Sequence, residues 1–361
     1  MRQRLVLLAW ICWASIWAAV TVAAVPQPLK LAADEWPPFT DVATKPRRAI
    51  ALVEAALRRG NVRSEFSILK WTSAIALAKK GHFDGMAAIW KTPEREQYLL
   101  FSKPYLQNRL VLVARRGTDV SMASLAPLAG KRLALTNGYG YGEAVNALTA
   151  NALTANSPAA AANGDKNVKV IHYDTDADCL RAVLANQADY VLLDELIIHY
   201  IYENYKDKAE KLISVGSAPI EEHTLHLALR RDYPSAAEIL AEFDRNVDRM
   251  MTDGSYNVLL DVPWISTDTD GDGNPEYVAS SRAASGAAGD PSQTRAGYSM
   301  FHAPAAPPSN ASATHRTPGY VIDGKSYDTW GDAKGSLHAV DSTRSGSDPY
   351  KYATGFVLTE F

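Results

Sequence analysis

Cysteine is scarce in this chain. Among 361 residues, cysteine occurs only at positions 12 and 179, and Cys12 lies in an apolar N-terminal run that we expect to be removed. One remaining cysteine excludes an intramolecular disulfide. Because Cys179 lies inside a helical pattern, we expect it to be a small buried apolar residue.

An excess of positive charge is also missing. The chain has 37 Lys and Arg against 40 Asp and Glu, a net charge of −3, and no basic stripe stands out along it. We therefore expect no nucleic-acid partner. The length exceeds what one typical core needs, which predicts two or three folded units.

Residues 1–24 are typical of a secretory signal. Two arginines precede an almost wholly apolar run at 5–20, and the sequence VAA at 22–24 suits cleavage after Ala24. The alternative is a retained membrane anchor, although the run falls slightly short of the roughly 20 residues that a span needs. We expect an exported, periplasmic protein.

Strand patterns alternate with helical patterns through most of the chain. This alternation indicates a mainly parallel sheet with helices on both faces. The segments LAKKGHFDGMAA and LANQADYVLLD, which start at residues 77 and 184, share a helix end, an aspartate and a buried strand. The repetition predicts two lobes of the same α/β construction.

The stretch 82–105, HFDGMAAIWKTPEREQYLLFSKPY, carries the main candidate binding residues. A short buried strand leads to Arg95, and Pro93 suits the first turn of a helix. An arginine just beyond a strand end can fork two hydrogen bonds to a carboxylate. The alternative is an ordinary surface arginine in a helix's first turn.

This stretch resembles the family 3 solute-binding proteins, the periplasmic receptors of amino-acid transporters. The resemblance rests on Thr92, Arg95 and the run FSKPY at 101–105, and it covers about residues 28–262. It implies the type 2 periplasmic-binding fold, an α/β architecture of two lobes, each a mainly parallel sheet flanked by helices. It also implies that Arg95 holds a ligand's carboxylate, with Thr92 among the ligand-binding residues.

Several further candidate ligand residues are aromatic. Trp36, fixed by prolines at a strand end, can form one wall of a cleft, and the resemblance places a stacking aromatic there; packing into the core is the alternative. Trp90, Tyr139 and Tyr141 stand where the family usually has Ser or Thr. These residues predict a cleft for a larger or less polar ligand than a plain amino acid, unless the site has drifted. The candidate set also contains Trp71 and Gly138.

The turn NGYGYG at 137–142 opens a helical pattern. Free backbone N–H groups at such a helix start bind anions readily, and the spacing is not a dinucleotide fingerprint. The resemblance assigns this turn to the ligand's carboxylate.

Asp194 ends an apolar strand. An acid there is costly unless it is exposed at the strand's carboxyl end, where open α/β sheets place ligands. The resemblance gives this position to the acid that binds a ligand's α-ammonium. Capping of the helix that begins near Leu196 is the alternative, and both roles can hold.

The segment DTDGDGNPE resembles a calcium loop. Alternate acids can converge several oxygens on one hard cation, and the candidate ligands are Asp268, Asp270, Asp272, Asn274 and Glu276. An acidic solvated linker is the alternative, since Ala279 stands at the twelfth loop position in place of the glutamate of an EF-hand.

The predicted organisation follows from these features. It comprises a signal peptide at 1–24, lobe 1 at 25–108 and 231–263, lobe 2 at 109–230, an acidic then Ala/Ser/Gly/Pro-rich linker at 264–318 and a small β-rich extension at 319–361. In the extension, Asp323-Gly324 predicts a β-hairpin, and the final GFVLTEF predicts a strand.

The predicted function is that of a periplasmic receptor. It would capture a small solute, an amino acid or related carboxylate, and present it to the membrane permease of an ABC-type transporter. We expect a monomer without a cofactor, apart from calcium if the acidic loop binds it. The alternative is an enzyme on the same fold, because cyclohexadienyl dehydratases resemble these receptors. That chemistry needs a cleft acid that protonates a leaving hydroxyl, and the sequence offers only Asp194.

Overall fold

The computed structural model describes residues 27–43, 47–154, 167–269, 274–281, 289–294, 298–299 and 319–337. The predicted signal segment and the predicted final strand at 355–361 lie outside these ranges. Within them, no helix is both long and apolar enough to cross a membrane.

Nine of the described strands form one mixed sheet. They are β1 (Leu29–Ala33), β2 (Ser64–Ile68), β3 (Gly85–Trp90), β4 (Leu99–Phe101), β5 (Leu106–Arg115), β6 (Arg132–Thr136), β7 (Lys169–Tyr173), β8 (Tyr190–Asp194) and β9 (Ile213–Arg230). The flanking helices are α1 (Arg48–Arg59), α2 (Trp71–Lys79), α3 (Glu143–Thr154), α4 (Asp176–Leu184), α5 (Glu195–Leu212), α6 (Ala236–Thr252) and α7 (Ser255–Leu260).

The sheet consists of two parallel units joined by antiparallel strands. Its order is β2-β1-β3-β9-β5-β8-β6-β7, with β4 beside β9. In lobe 1, β1 runs parallel to β2 and β3; in lobe 2, β6 runs parallel to β7 and β8. The predicted two-lobed α/β fold with mainly parallel units is confirmed.

The two lobes are connected through β5 and β9. These strands pair antiparallel from Leu106↔Leu225 to Arg115↔Ile213. From Leu225 onward, β9 also pairs with β3 and β4 of lobe 1. The predicted end of lobe 2 at residue 230 is therefore corrected, because one continuous strand crosses between the lobes before Leu225.

Helical packing completes each lobe. In α1, Ile50, Leu52 and Val53 are buried in the core. The amide of Asn246 in α6 donates to the carbonyl of Ala56 at 3.1 Å, which fixes the returning chain on lobe 1. In lobe 2, Cys179 is buried as expected.

An ion pair ties the lobes outside the cleft. Arg48, at the start of α1, lies with its Nη2 3.3 Å from a carboxylate oxygen of Glu203 on α5 and 2.7 Å from one of Asp261. Arg48 is buried, but both carboxylates remain exposed to water, so the contact stabilises the structure only modestly.

The C-terminal region forms a second, five-stranded sheet. Its strands follow the order β12-β10-β11-β13-β14. Its elements are β10 (Ile265–Thr267), β11 (Glu276–Ala279), α8 (Pro291–Thr294), β12 (Tyr298–Ser299), β13 (Tyr320–Ile322), β14 (Lys325–Tyr327) and α9 (Trp330–Lys334). Trp264 and Tyr320 are buried at its centre.

The predicted linker at 264–318 is corrected by this sheet. Its β10 and β11 are too short for a clear alternating pattern, and the acids between them dominate the local composition. The predicted hairpin is present: Asp323 and Gly324 both have positive φ values, 48° and 78°, and join the antiparallel β13 and β14. Positive φ at both central residues is what a type I′ turn requires.

The second sheet is anchored to lobe 1 by close backbone contact. A Cβ at Gly254 would lie 2.8 Å from the Cα of Ser280 and 2.9 Å from the carbonyl of Ala279. Beside it, the amide of Asn257 on α7 donates to the carbonyl of Val278 at 2.9 Å. Both contacts hold β11 against the α6–α7 connection.

We predict that Asn257→Ala loosens this anchor. The substitution leaves the buried carbonyl of Val278 without its donor, which should lower the free energy of unfolding of the second sheet by about 1–3 kcal/mol. Asn204→Ala is the matched control, because the Asn204 amide bonds to the carbonyl of Tyr200 within its own helix. Urea denaturation and amide exchange in β11 would measure the effect; equal protection in the two variants would contradict it.

Candidate functional site

The cleft between the lobes is filled by aromatic side chains. Trp36, Trp71 and Trp90 of lobe 1 surround Tyr139 of lobe 2, with ring centroids 5.9, 5.6 and 5.3 Å from that of Tyr139. All three contacts are edge-to-face, the favourable arrangement for aromatic pairs. Tyr139 is thus the centre of a cage that lobe 1 provides.

The site lies where parallel strands end. Asp34 follows β1, Trp90 ends β3, Tyr139 follows β6 and Asp176 follows β7. Carboxyl ends of parallel strands share one edge of a sheet, and open α/β sheets place ligands there. The fold therefore brings these residues of both lobes to a common edge.

Arg95 lies inside the cleft and is only 6% exposed. Its Nη1 donates to the carbonyl of Trp90 at 2.7 Å and its Nη2 to the carbonyl of Gly138 at 3.3 Å. Its guanidinium lies over the ring of Trp71, 5.1 Å from the centroid. Burial lowers the pKa of Arg95 from its ordinary value. The alternative of a surface arginine is excluded.

Asp34 faces the same space and was not among the predicted site residues. Its Oδ2 accepts the hydroxyl of Tyr139 at 3.2 Å and its Oδ1 that of Thr40 at 3.4 Å. Burial, the largest cause, raises the pKa of Asp34 to about 7, and the nearby charge of Asp176 raises it further. Its place directly after β1 is the signal that could have identified it.

Asp176 is a second buried acid that the sequence did not reveal. Its Oδ2 accepts the indole N–H of Trp36 across the cleft at 2.7 Å, and its Oδ1 accepts the hydroxyl of Thr136 at 2.5 Å. Burial raises the pKa of Asp176 to about 6. Each lobe therefore contributes one carboxylate that binds an aromatic side chain of the other lobe.

Asp194 does not line this cavity. It is 1% exposed, and its Oδ1 accepts the N–H of Leu196, which caps α5. Its Oδ2 accepts from the amide of Asn108 at 3.0 Å and the N–H of Arg109 at 2.9 Å. The structure thus shows the capping role, and contact of Asp194 with a ligand's ammonium group stays a prediction.

Asn108 connects Asp194 to the cage. The Oδ1 of Asn108 accepts the indole N–H of Trp90 at 2.8 Å. The other face of Trp90 stacks on His223 at 4.2 Å, and His223 pairs with Glu221 at 3.3 Å. These neighbours, which sequence reasoning missed, fix the orientation of Trp90.

The remaining predicted residues support the cage from outside. The hydroxyl of Thr92 accepts the N–H of Arg95 at 3.3 Å, and the hydroxyl of Tyr141 accepts the N–H of Thr136 at 2.9 Å. The carbonyl of Gly138 accepts the indole N–H of Trp71 at 2.7 Å. Trp36, Trp71, Trp90, Arg95 and Tyr139 line the cavity together with Asp34.

The cavity that these side chains enclose is small. The volume open to the centre of a water molecule is about 20 Å³, which is room for about one water. A solute of amino-acid size therefore needs the lobes to separate or a side chain to leave.

The acidic loop at 268–276 connects β10 to β11. Glu276 accepts the backbone N–H of Thr269 at 2.7 Å and its hydroxyl at 2.8 Å. Asp270 and Asp272 lie outside the described residues, and within the described part of the chain no acid, His or Cys cluster forms a metal site. Calcium binding by Asp268, Asn274 and Glu276 with those two acids stays a prediction.

The fold and the cleft define a two-lobed binding protein of the periplasmic-binding type. The chain belongs to the bacterial extracellular solute-binding proteins, family 3, whose model matches residues 31–265. Members of this family are typically extracellular or periplasmic binding proteins. A comparison with curated proteins gives no match.

Solved structures share the fold at low identity. An ancestral arginine-binding protein bound to arginine has 22% identity and a TM-score of 0.52, covering 65% of this chain and 97% of its own. The GluR0 ligand-binding core from Nostoc punctiforme, in complex with glutamate, has 20% identity and a TM-score of 0.51, covering 65% and 98%. A histidine kinase sensor domain has 20% identity and a TM-score of 0.51, covering 65% and 95%.

We predict that closure of the lobes depends on pH. Opening would return Asp34 and Asp176 to water, where carboxyl pKa values lie near about 3.9. Because the closed form holds these pKa values at about 7 and about 6, it binds more protons than the open form between about pH 4 and pH 7. The closed population should therefore fall as the pH rises through about 6 to 7. Arg95 and Tyr139 also face Asp34; a guanidinium stays protonated in proteins, and burial raises the pKa of Tyr139 well above its ordinary value.

Small-angle scattering at about pH 5 and about pH 8 would test this prediction. The radius of gyration should be larger at the higher pH, and the difference should shrink in the Asp34→Asn, Asp176→Asn double variant. Asp207→Asn, at an exposed position on α5, is the control. An unchanged radius of the parent protein across this range would contradict the prediction.

Proposed function

We propose that this protein captures a small solute, an amino acid or related carboxylate, between its lobes and presents it to a membrane permease of an ABC-type transporter. The observation that carries the proposal is the joint position of Arg95 and Asp34 in one cavity lined by Trp36, Trp71 and Trp90. A guanidinium and a carboxylate in the same cleft match the two charges of an amino acid. Family membership supports a binding role, and the predicted signal at 1–24 supports export.

Arg95 could exchange its present hydrogen-bond acceptors for the carboxylate oxygens of a ligand. It now donates to two neutral carbonyl oxygens. A ligand carboxylate would offer charged acceptors in the same planar fork, and charge-assisted bonds are roughly twice as strong as neutral ones. Asp34 likewise accepts from neutral hydroxyls, so an ammonium group would be a stronger donor.

The tryptophan side chains restrict which ligand side chains the cage favours. Indole faces bind apolar groups by area and cations by their quadrupole. The cage therefore favours a ligand whose side chain is flat, apolar or cationic over a small polar one. The two similar structures in complex with arginine and glutamate support an amino acid as the ligand class without deciding which amino acid it is.

An enzyme remains the second candidate because of Asp34. A buried carboxyl with a pKa of about 7 can donate a proton near neutral pH, which a dehydratase needs. Incubation with a hydroxylated cyclohexadienyl carboxylate tests this: loss of the hydroxyl as water together with the carboxylate as carbon dioxide would leave an aromatic ring with a new ultraviolet absorbance. Binding without that absorbance would favour the receptor.

We predict that Arg95→Ala weakens carboxylate binding at least about a hundredfold. Two charge-assisted bonds of roughly 1.5–3 kcal/mol each are lost, and about 1.4 kcal/mol corresponds to a tenfold change. Arg95→Lys should recover part of the loss, because an ammonium group cannot copy the fork. A thermal-shift screen of the mature protein against single L-amino acids would identify the ligand, and titration calorimetry would measure its affinity.

The matched control is Arg58→Ala, which removes the same charge from an exposed position on α1. It should leave affinity unchanged. If Arg95→Ala bound a carboxylate as tightly as the parent protein, Arg95 would not be the carboxylate anchor.

We predict that substituting Asn for Asp34 and for Asp194 has different effects on affinity and stability. Asp34→Asn should weaken amine-bearing ligands at least about tenfold, because it removes the charge that attracts the ammonium group, while sparing carboxylates without an amine. Asp194→Asn should lower the unfolding temperature and leave affinity near that of the parent, because Asp194 bonds to α5 and β5. Calorimetry and thermal denaturation of both variants would measure this. A selective loss of amine binding in Asp194→Asn alone would return the role to Asp194.

A further inference from the structure

The turn at 137–142 of lobe 2 enters the cleft of lobe 1 as a bound solute would. Its Gly138 carbonyl accepts from Nη2 of Arg95 at 3.3 Å and from the indole N–H of Trp71 at 2.7 Å. Its next residue, Tyr139, places a ring in the tryptophan cage and a hydroxyl on Asp34 at 3.2 Å. One dipeptide thus engages both charged groups of the cleft.

Glycines allow the turn at 137–142 to enter the cleft this deeply. Gly138 has a φ of +76°, a conformation that residues with side chains rarely adopt. A Cβ at Gly140 would lie 2.6 Å from Cγ2 of Thr92 and 3.2 Å from Nη1 of Arg95. Glycine on both sides of Tyr139 is therefore required for the backbone to approach Arg95 this closely.

The position of Tyr139 conflicts with a simple stacking role. A residue that stacks on a ligand lies beside the ligand's space, whereas the ring of Tyr139 fills the centre of the cage, against Trp36, Trp71 and Trp90. Only about 20 Å³ is left beside it. Solute and Tyr139 cannot occupy this cage together.

We propose that the Gly138-Tyr139 segment is an internal ligand that competes with solute for Arg95 and Asp34. This rests on the proposed function for the identity of the two anchors. A solute binds by displacing Tyr139, so its apparent affinity is its intrinsic affinity reduced by the fraction of molecules in which the cage is free. Tyr139 also sets specificity, because a solute must replace both the acceptor on Arg95 and the donor on Asp34. Solutes with a carboxylate and an ammonium group replace both, whereas carboxylates without an amine replace only the acceptor on Arg95 and so bind more weakly.

Two variants of Tyr139 test the proposal on the full mature chain. Tyr139→Ala removes the ring and the hydroxyl, whereas Tyr139→Phe removes only the bond to Asp34. Tyr202→Ala, which removes a half-buried ring from α5 in the same lobe, controls for the loss of an aromatic side chain.

The first measurement needs no solute. By small-angle scattering in buffer alone, Tyr139→Ala should have a larger radius of gyration than the parent protein, Tyr139→Phe an intermediate one, and Tyr202→Ala the parent value. A parent-like radius in both Tyr139 variants would overturn the proposal, because the turn would then not hold the lobes together. This outcome does not depend on Arg95 binding a carboxylate.

The second measurement uses the L-amino acid that gives the largest thermal shift with the parent protein. Its affinity should rise at least about tenfold in Tyr139→Ala, since the competing occupant is gone, and less in Tyr139→Phe. A weaker affinity in both variants would show that Tyr139 stacks on the ligand and would overturn the proposal. If no amino acid binds any variant, the proposed function fails, while the scattering result still decides whether the turn closes the lobes.

Discussion

The antiparallel pairing of β5 with β9 is the constraint on which the structure depends. Both strands run through the two lobes, from Leu106↔Leu225 to Arg115↔Ile213, so the sheet is continuous across the cleft. Lobe motion must bend or twist this ladder without breaking its hydrogen bonds, because buried backbone groups must stay paired. The ladder therefore restricts the lobes to a hinge, which keeps the strand ends of the two parallel units opposite each other.

Closing that hinge buries ionisable groups against neutral partners. Arg95 donates to carbonyl oxygens, and Asp34 and Asp176 accept from hydroxyl and indole groups. A buried charge held by neutral partners loses hydration that these bonds replace only in part. A ligand that brought the opposite charges would therefore restore part of what these groups lose, in line with the proposed function. In a bilobal receptor, a ligand that binds the closed form more tightly than the open form shifts the population toward closure.

The fold could be predicted from the sequence because the patterns of strands and helices are local. The site could be predicted only in part, because its geometry depends on residues that are far apart in the chain. Strand and helix periodicity predicted two α/β lobes, and the position of Arg95 after β3 predicted its place in the cleft. Asp34 and Asp194 both follow buried strands, and no local pattern tells which carboxylate turns toward the opposite lobe. The outcome depends on α5, whose first turn takes the carboxylate of Asp194 as its cap. Likewise, the strands of the second sheet are too short to be distinguished from a linker.

The contacts that anchor the second sheet indicate which lobe it would move with. Asn257 and Gly254 hold it against the α6–α7 connection of lobe 1, and Asp261, between α7 and this sheet, bonds to Arg48 of the same lobe. Of these bonds, the one from Arg48 to Glu203 reaches lobe 2. Opening the hinge would break that bond and leave Asp261 in place, so the second sheet travels with lobe 1. Lobe 2 then moves alone, and it carries Tyr139 out of the cage as it leaves.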